Sequence, residues 1–137
     1  MEAQIFGKYM SKKKLPNLKH FLSGWLPVIA WAGLIFYLSN QSILPGFKVS
    51  VWDYLFKKTA HITVYAILYV LIQRALNLTT KLNINVSWKV ALLLCVLYGV
   101  SDEIHQSFVS GRQGTLRDVG FDTLGSSLVI LRKLRYI

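Results

Sequence analysis

No charged residue interrupts the chain from Phe21 to Phe47. A helix needs only about 20 apolar residues to cross the hydrocarbon of a bilayer, so this stretch alone decides which solvent much of the chain must fold in. A helix of a soluble bundle would place charges between apolar residues at every third or fourth position, and Trp25 to Leu38 shows no such polar face. Composition agrees, because 53% of the 137 residues are apolar, more than a soluble domain of this size conceals. The expected fold is all-α: a polytopic membrane protein built as a bundle of four transmembrane helices.

The segments have a simple order. Residues 1–20 are basic and too poor in apolar side chains to pack a core; they read as a cytoplasmic tail ahead of a single domain over residues 21–137. Spans are expected at about 21–38, 57–73, 88–106 and 118–134, each near the length that a bilayer requires. The first is longer than the apolar part of a secretory signal and no small-x-small cleavage site follows it, so it is expected to stay uncleaved. Pro45 and Gly46 break the chain before the second. The apolar cores of the second, third and fourth are short. They span only by drawing Lys58, the Asp102-Glu103-Ile104-His105 run and Asp118 to the rim of the membrane. Cations near the last helix end, Arg132, Lys133 and Arg135, can reach the headgroups along their own stems.

Basic residues are biased to the cytoplasmic side of a membrane. With the N-terminus inside, the cytoplasmic segments collect Lys8 to Lys19, Arg74, Lys81, Lys89 and the Arg132 to Arg135 cluster against Glu2 alone. Outside, Lys48, Lys57, Lys58, Arg112 and Arg117 meet an equal number of acids, so the whole formal charge of +10 falls inside. Both termini are therefore expected in the cytoplasm of a multi-pass protein of the cell membrane. The basic residues serve topology and anionic lipid headgroups, and nucleic acid is not an expected partner. Trp25, Trp88 and Tyr136 near one rim, with Phe36 and Tyr37 near the other, suit aromatic belts.

This topology gathers polar helix ends on one face. Ser39-Asn40-Gln41 closes helix 1, Lys57 to His61 opens helix 2, Ser101 to Gln106 closes helix 3, and Arg117-Asp118 with Asp122 opens helix 4. An ionised group facing lipid at depth costs roughly 2.5 to 3.5 kcal/mol, so these groups should turn inward. Helical spacing permits it: Lys58, His61 and Tyr65 form one stripe, Tyr98, Asp102 and His105 a second, and Asp118, Asp122, Gly125 and Ser126 a third. The small residues of the third allow close helix approach. Holding helices together does not call for so many ionisable groups at one rim, and such groups at membrane depth point to function.

The stretches WAGLIFYLSNQ (Trp31 to Gln41), Lys58-Thr59-Ala60-His61 with Tyr65, LYGVSDEIHQSFVSGRQGTLRDV, and Thr123-Leu124-Gly125 together resemble the VanZ-like membrane proteins. That family is named after a component linked to resistance against the glycopeptide teicoplanin. The ordered DEIHQ, Gly-Arg and Asp set carries most of the likeness; Lys-x-x-His alone is weak. The resemblance marks Ser39, Gln41, Lys58, His61, Tyr65, Asp102, Glu103, His105, Gln106, Arg112 and Asp118. It implies a multi-helix protein of the cell envelope, and it supplies no reaction. Asp122 and Ile62 depart from the family, which often has Asn and Phe there, so charge at Asp122 is not expected to be essential.

Other signals are sparse. Cys95 is the only cysteine, stands mid-helix and reads as packing. Phosphate-binding glycine loops, HExxH helices and GxSxG elbows are absent from the sequence. Pro27 is expected to kink helix 1 near its inner end. Glycines on either side of Arg112-Gln113 suit a tight turn that aims Arg112 over the cluster.

Three function classes follow. The first is a site facing outward that binds or shields an anionic envelope lipid or an amphiphilic antibiotic, through Lys58, Arg112, Gln106, Glu103, Asp118, Gln41 and Tyr65. Arg112 offers a planar fork for two oxygens and Lys58 a compact second charge. The second is an enzyme, a hydrolase or transferase on a lipid-linked phosphate or carboxylate, with His105 or His61 as acid, base or nucleophile and Asp102 orienting it. Binding is the preferred reading. The third, a transporter or proton path, is weakest because the inner helix halves show no matching polar trail. No cofactor is expected. A metal site from His61, Asp102, His105 and Asp118 ranks below an anion site, since neighbouring Lys and Arg repel a divalent cation.

Overall fold

The computed structural model describes residues 17–42, 50–112 and 114–134. Among these are four helices: α1 Leu18–Ser39, α2 Ser50–Thr79, α3 Ile84–Gln106 and α4 Leu116–Lys133. Most of the basic tail, the Pro45-Gly46 turn, Gln113, Arg135 and Tyr136 lie outside the described residues.

The helices begin where the sequence offers a cap. The side chains of Asn17, Asn83 and Thr115 accept from backbone N–H groups of the first turns of α1, α3 and α4, occupying donors that a helix start leaves free. α1 thus begins inside the segment expected to be tail. α2 is much longer than the expected 57–73. Its 30 residues at 1.5 Å each reach about 45 Å, against about 30 Å of hydrocarbon, so its ends extend past the apolar layer. The charges around Lys57 and Lys58 do not stop it, because Lys57 pairs with Asp53 one turn away at 2.8 Å.

α2 is the central helix. It packs on α1, α3 and α4, whereas α1 touches α3 only lightly. Its buried face is accordingly wide, from Tyr65 through Leu68, Tyr69 and Ile72 to Leu76. α3 buries a narrow line of small residues, Ser87, Ala91, Cys95 and Gly99, before its acids; such a line lets backbones approach in a membrane. Gly125 of α4 does so most closely. A Cβ there would run into the carbonyl of Ile62, which fixes α4 against α2 just below the polar end.

Pro27 lies inside α1 and has no N–H for the carbonyl of Ser23, four residues back. The Arg74 guanidinium of α2 donates to that carbonyl at 2.8 Å, so the proline is compensated across a helix interface. The outer surface is apolar: Leu26, Ile29, Leu93, Leu97 and Ile104 are among its exposed side chains, while Asp102, Glu103, Asp118 and Asp122 lie inside. That inversion suits lipid, not water. α1, α2 and α3 are long and apolar enough to cross a membrane; the protein is a helical membrane protein.

Candidate functional site

All four helices contribute polar side chains to one end of the bundle. Ser39, Asp102, Glu103, Gln106, Asp118 and Asp122 are buried there, Asp122 at 1% exposure. Two connected groups share this end.

The first lies between α2, α3 and α4. Lys58 forms an ion pair with Asp118. One turn further along α2, His61 Nδ1 lies 2.8 Å from Asp122 Oδ1. Glu103 of α3 completes the group: ligand-type atoms of His61, Glu103 and Asp122 lie within 4.8 Å of one another. The other Glu103 oxygen accepts from the Thr115 backbone N–H at 2.8 Å, tying α3 to the cap of α4. Tyr65, a further turn along α2, is 1% exposed, and Asp122, Asp102 and Glu103 are its charged neighbours.

The second group centres on Gln106. Its amide donates to Asp102 Oδ2 at 3.0 Å, to Glu103 Oε1 at 3.3 Å and to Ser39 Oγ at 3.4 Å. Its carbonyl oxygen accepts from Arg112 Nη2 at 2.5 Å. The turn that returns Arg112 depends on Gly111, whose φ of +80° lies where only glycine sits easily. Arg112 thus falls over the cluster, as the spacing of the glycines implied.

Helical stripes gave the faces of these residues but not all of their partners. Asp102 bonds Gln106, not a histidine; the carboxylate beside a histidine is Asp122, which the sequence reading set aside as a charge. His105 stacks on Phe36 of α1, with ring centroids 4.6 Å apart, and so turns away from His61. Gln41 donates to the Tyr37 carbonyl of its own helix at 3.1 Å and is not drawn into either group. The mixed nitrogen and oxygen set that converges is His61, Glu103 and Asp122, in place of His61, Asp102, His105 and Asp118.

The expectation that no polar trail runs inward is also corrected. Tyr69 and Gln73 continue the four-residue spacing of His61 and Tyr65 along α2 and are buried, and Asn77 follows, accepting from buried Ser87 at 2.9 Å. Their spacing in the sequence was the available signal. All are neutral, which is why a search for charge passed over them.

Six buried polar atoms have no hydrogen-bond partner among the described residues: Tyr65 Oη, Tyr69 Oη, Gln73 Nε2, Asp102 Oδ1, His105 Nε2 and Asp122 Oδ2. Four of them belong to the polar end. Buried groups are nearly always paired in native proteins, so a concentration of unpaired ones calls for an explanation.

Comparison with curated proteins and with solved structures yields no match. The family described as VanZ/LLP1 matches residues 10–132, a span that runs from the tail through α4 and takes in every side chain of the polar end. The chain belongs to the VanZ/LLP1 family.

Proposed function

We propose that this chain crosses the cell membrane four times and that its polar end, on the extracytoplasmic side, binds the headgroup of an anionic envelope lipid or of an amphiphilic antibiotic. Protection against a glycopeptide is the setting that the family name suggests. The carrying observation is the convergence of four helices on a buried polar end that leaves Tyr65, Asp102, His105 and Asp122 with unpaired atoms. Holding helices together would pair such groups, not leave them over. α4 fits the fourth span because Asp118 and Asp122 are turned inward, which leaves Leu124, Leu128 and Leu131 for lipid.

Arg112 is the natural first contact for an anion. It is half-buried at the rim, and its bond to Gln106 occupies one nitrogen, which leaves further donors of the fork. Lys58 joins if an incoming oxygen replaces Asp118. The test is thermal shift of the purified protein with phosphatidylglycerol against phosphatidylcholine. Ligand at one hundred times Kd stabilises by about 2.7 kcal/mol. Stabilisation by the anionic lipid that is lost in Arg112→Lys supports the reading; equal shifts with both lipids refute it. For orientation, Ser42→Cys and Ser110→Cys should react on intact cells with an impermeant thiol reagent, and Thr80→Cys should not.

The second reading, a hydrolase or transferase, is favoured by one contact. His61 and Asp122 form a histidine–carboxylate pair at 2.8 Å, the arrangement that orients a general base. His61→Gln should then abolish release of product from a phosphate-bearing lipid while lipid binding persists.

A further inference from the structure

The charges of the polar end do not balance. Asp102, Glu103, Asp118 and Asp122 are buried there; Lys58 pairs with Asp118, the His61 imidazole stands against Asp122, and Arg112 bonds the neutral Gln106, so that even a charged His61 leaves the acids in excess. An ionised carboxylate taken out of water needs a partner of opposite sign. Ligand-type atoms of Glu103, Asp122 and the His61 imidazole lie within 4.8 Å of one another.

We propose that His61, Glu103 and Asp122 hold a divalent transition-metal ion of the zinc and manganese class, and that this ion, with Arg112, receives the anionic headgroup. The inference rests on the reading of the polar end as a ligand site and deepens it. Three observations carry it. One atom from each of the three residues, on three different helices, falls within a 4.8 Å sphere of mutual separation; ligands held at about 2.1 Å in tetrahedral geometry stand about 3.4 Å apart, a closure that side-chain rotation can supply. Asp122 Oδ2, at a residue 1% exposed, has no hydrogen-bond partner, so a carboxylate oxygen is free to coordinate. Tyr65, equally buried and with its hydroxyl unpaired, has these acids as neighbours and can donate to an oxygen bound at the ion.

The donor set selects the metal. One imidazole and two carboxylates suit zinc, manganese or iron(II), whereas calcium and magnesium take oxygen alone. Three protein ligands leave a coordination position for a headgroup oxygen. The objection that Lys and Arg repel a cation loses force for Lys58, whose charge is neutralised by Asp118; Arg112 keeps its charge but sits with the neighbouring group, where Gln106 also bonds Asp102.

The experiment is titration of the purified, chelator-treated full chain with Co²⁺, read by visible absorption, then displacement with Zn²⁺. One saturable equivalent is expected. Glu103→Gln and Asp122→Asn should each weaken it by more than roughly tenfold, the scale at which even indirect partners of a metal act. Ser87→Ala should bind as the parent does, because Ser87 pairs with Asn77 at the other end of the bundle. Folded parent protein that takes up no stoichiometric Co²⁺ or Zn²⁺ overturns the proposal, and so does Ser87→Ala weakening binding as much as Asp122→Asn. The parent titration decides even if a variant fails to fold. Repeating the phosphatidylglycerol shift in chelator separates the two readings: if it persists with no metal bound, headgroup binding stands and the ion's part in receiving the headgroup falls. Metal uptake without any lipid shift leaves the ion and removes the headgroup.

Discussion

The two ends of the bundle solve the same problem in opposite ways. At the end holding Asn77, polar groups form neutral pairs: Trp25 donates to Thr79 at 3.1 Å and Ser87 to Asn77 at 2.9 Å, and Arg74 serves the carbonyl that Pro27 frees. At the other end, four buried acids meet Lys58, Arg112 and the His61 imidazole, and four polar atoms lack partners among the described residues. The first pattern stabilises a helix interface at modest cost. The second is expensive at membrane depth and makes sense where a ligand or ion shares the cost.

The largest expected effect that could break this contrast is Lys58→Met. It strands Asp118, and removing one member of a largely buried pair should lower stability by up to about 3 kcal/mol. Combining it with Asp118→Leu should restore most of the loss, a coupling that equilibrium unfolding in detergent would measure. If Lys58→Met alone is harmless, the polar end is wetter and cheaper than its burial implies.

Smaller effects belong to the neutral end. Ser87→Ala should cost about 1 kcal/mol, because it leaves the Asn77 carbonyl without its donor, and should leave Co²⁺ and lipid binding unchanged. Trp25→Phe removes one interhelical hydrogen bond, worth about 0.6 kcal/mol in membranes; a clear loss of ligand binding in either variant would mean that the two ends are coupled. Gln41→Ala should be the mildest, within about 0.5 kcal/mol and silent in binding, since the Gln41 side chain donates to the Tyr37 carbonyl four residues back.

Much of the fold was legible in the sequence. The uncharged run from Phe21 to Phe47 announces a membrane helix, and the recurrence of polar residues near three further apolar stretches places them at one end. The lower reach of α2 was not, because Gln73 looks like an ordinary polar residue until packing buries it, and Asn77 does until Ser87 of α3 bonds it. The candidate site was legible as a set. Lys58, Glu103, Gln106, Arg112 and Asp118 all fall where their spacing put them, while Gln41 and His105 do not join the groups around His61. Ser39 and Gln106 meet across two helix ends far apart in sequence, a contact that no local period encodes.

The sequence by itself determined the solvent, the helical class and the end of the bundle that holds the charges, because these depend on hydropathy and on the 3.6-residue period of a single helix, and its ordered motifs carried the likeness to the family. Only the tertiary structure decided which carboxylate faces which base. Helix spacing fixes a face to within one turn, but the rotation of each helix about its own axis is set by packing against its neighbours. Gly125 seated on the Ile62 carbonyl is what turns Asp122 toward His61. Phe36 is what holds His105 on the α1 side.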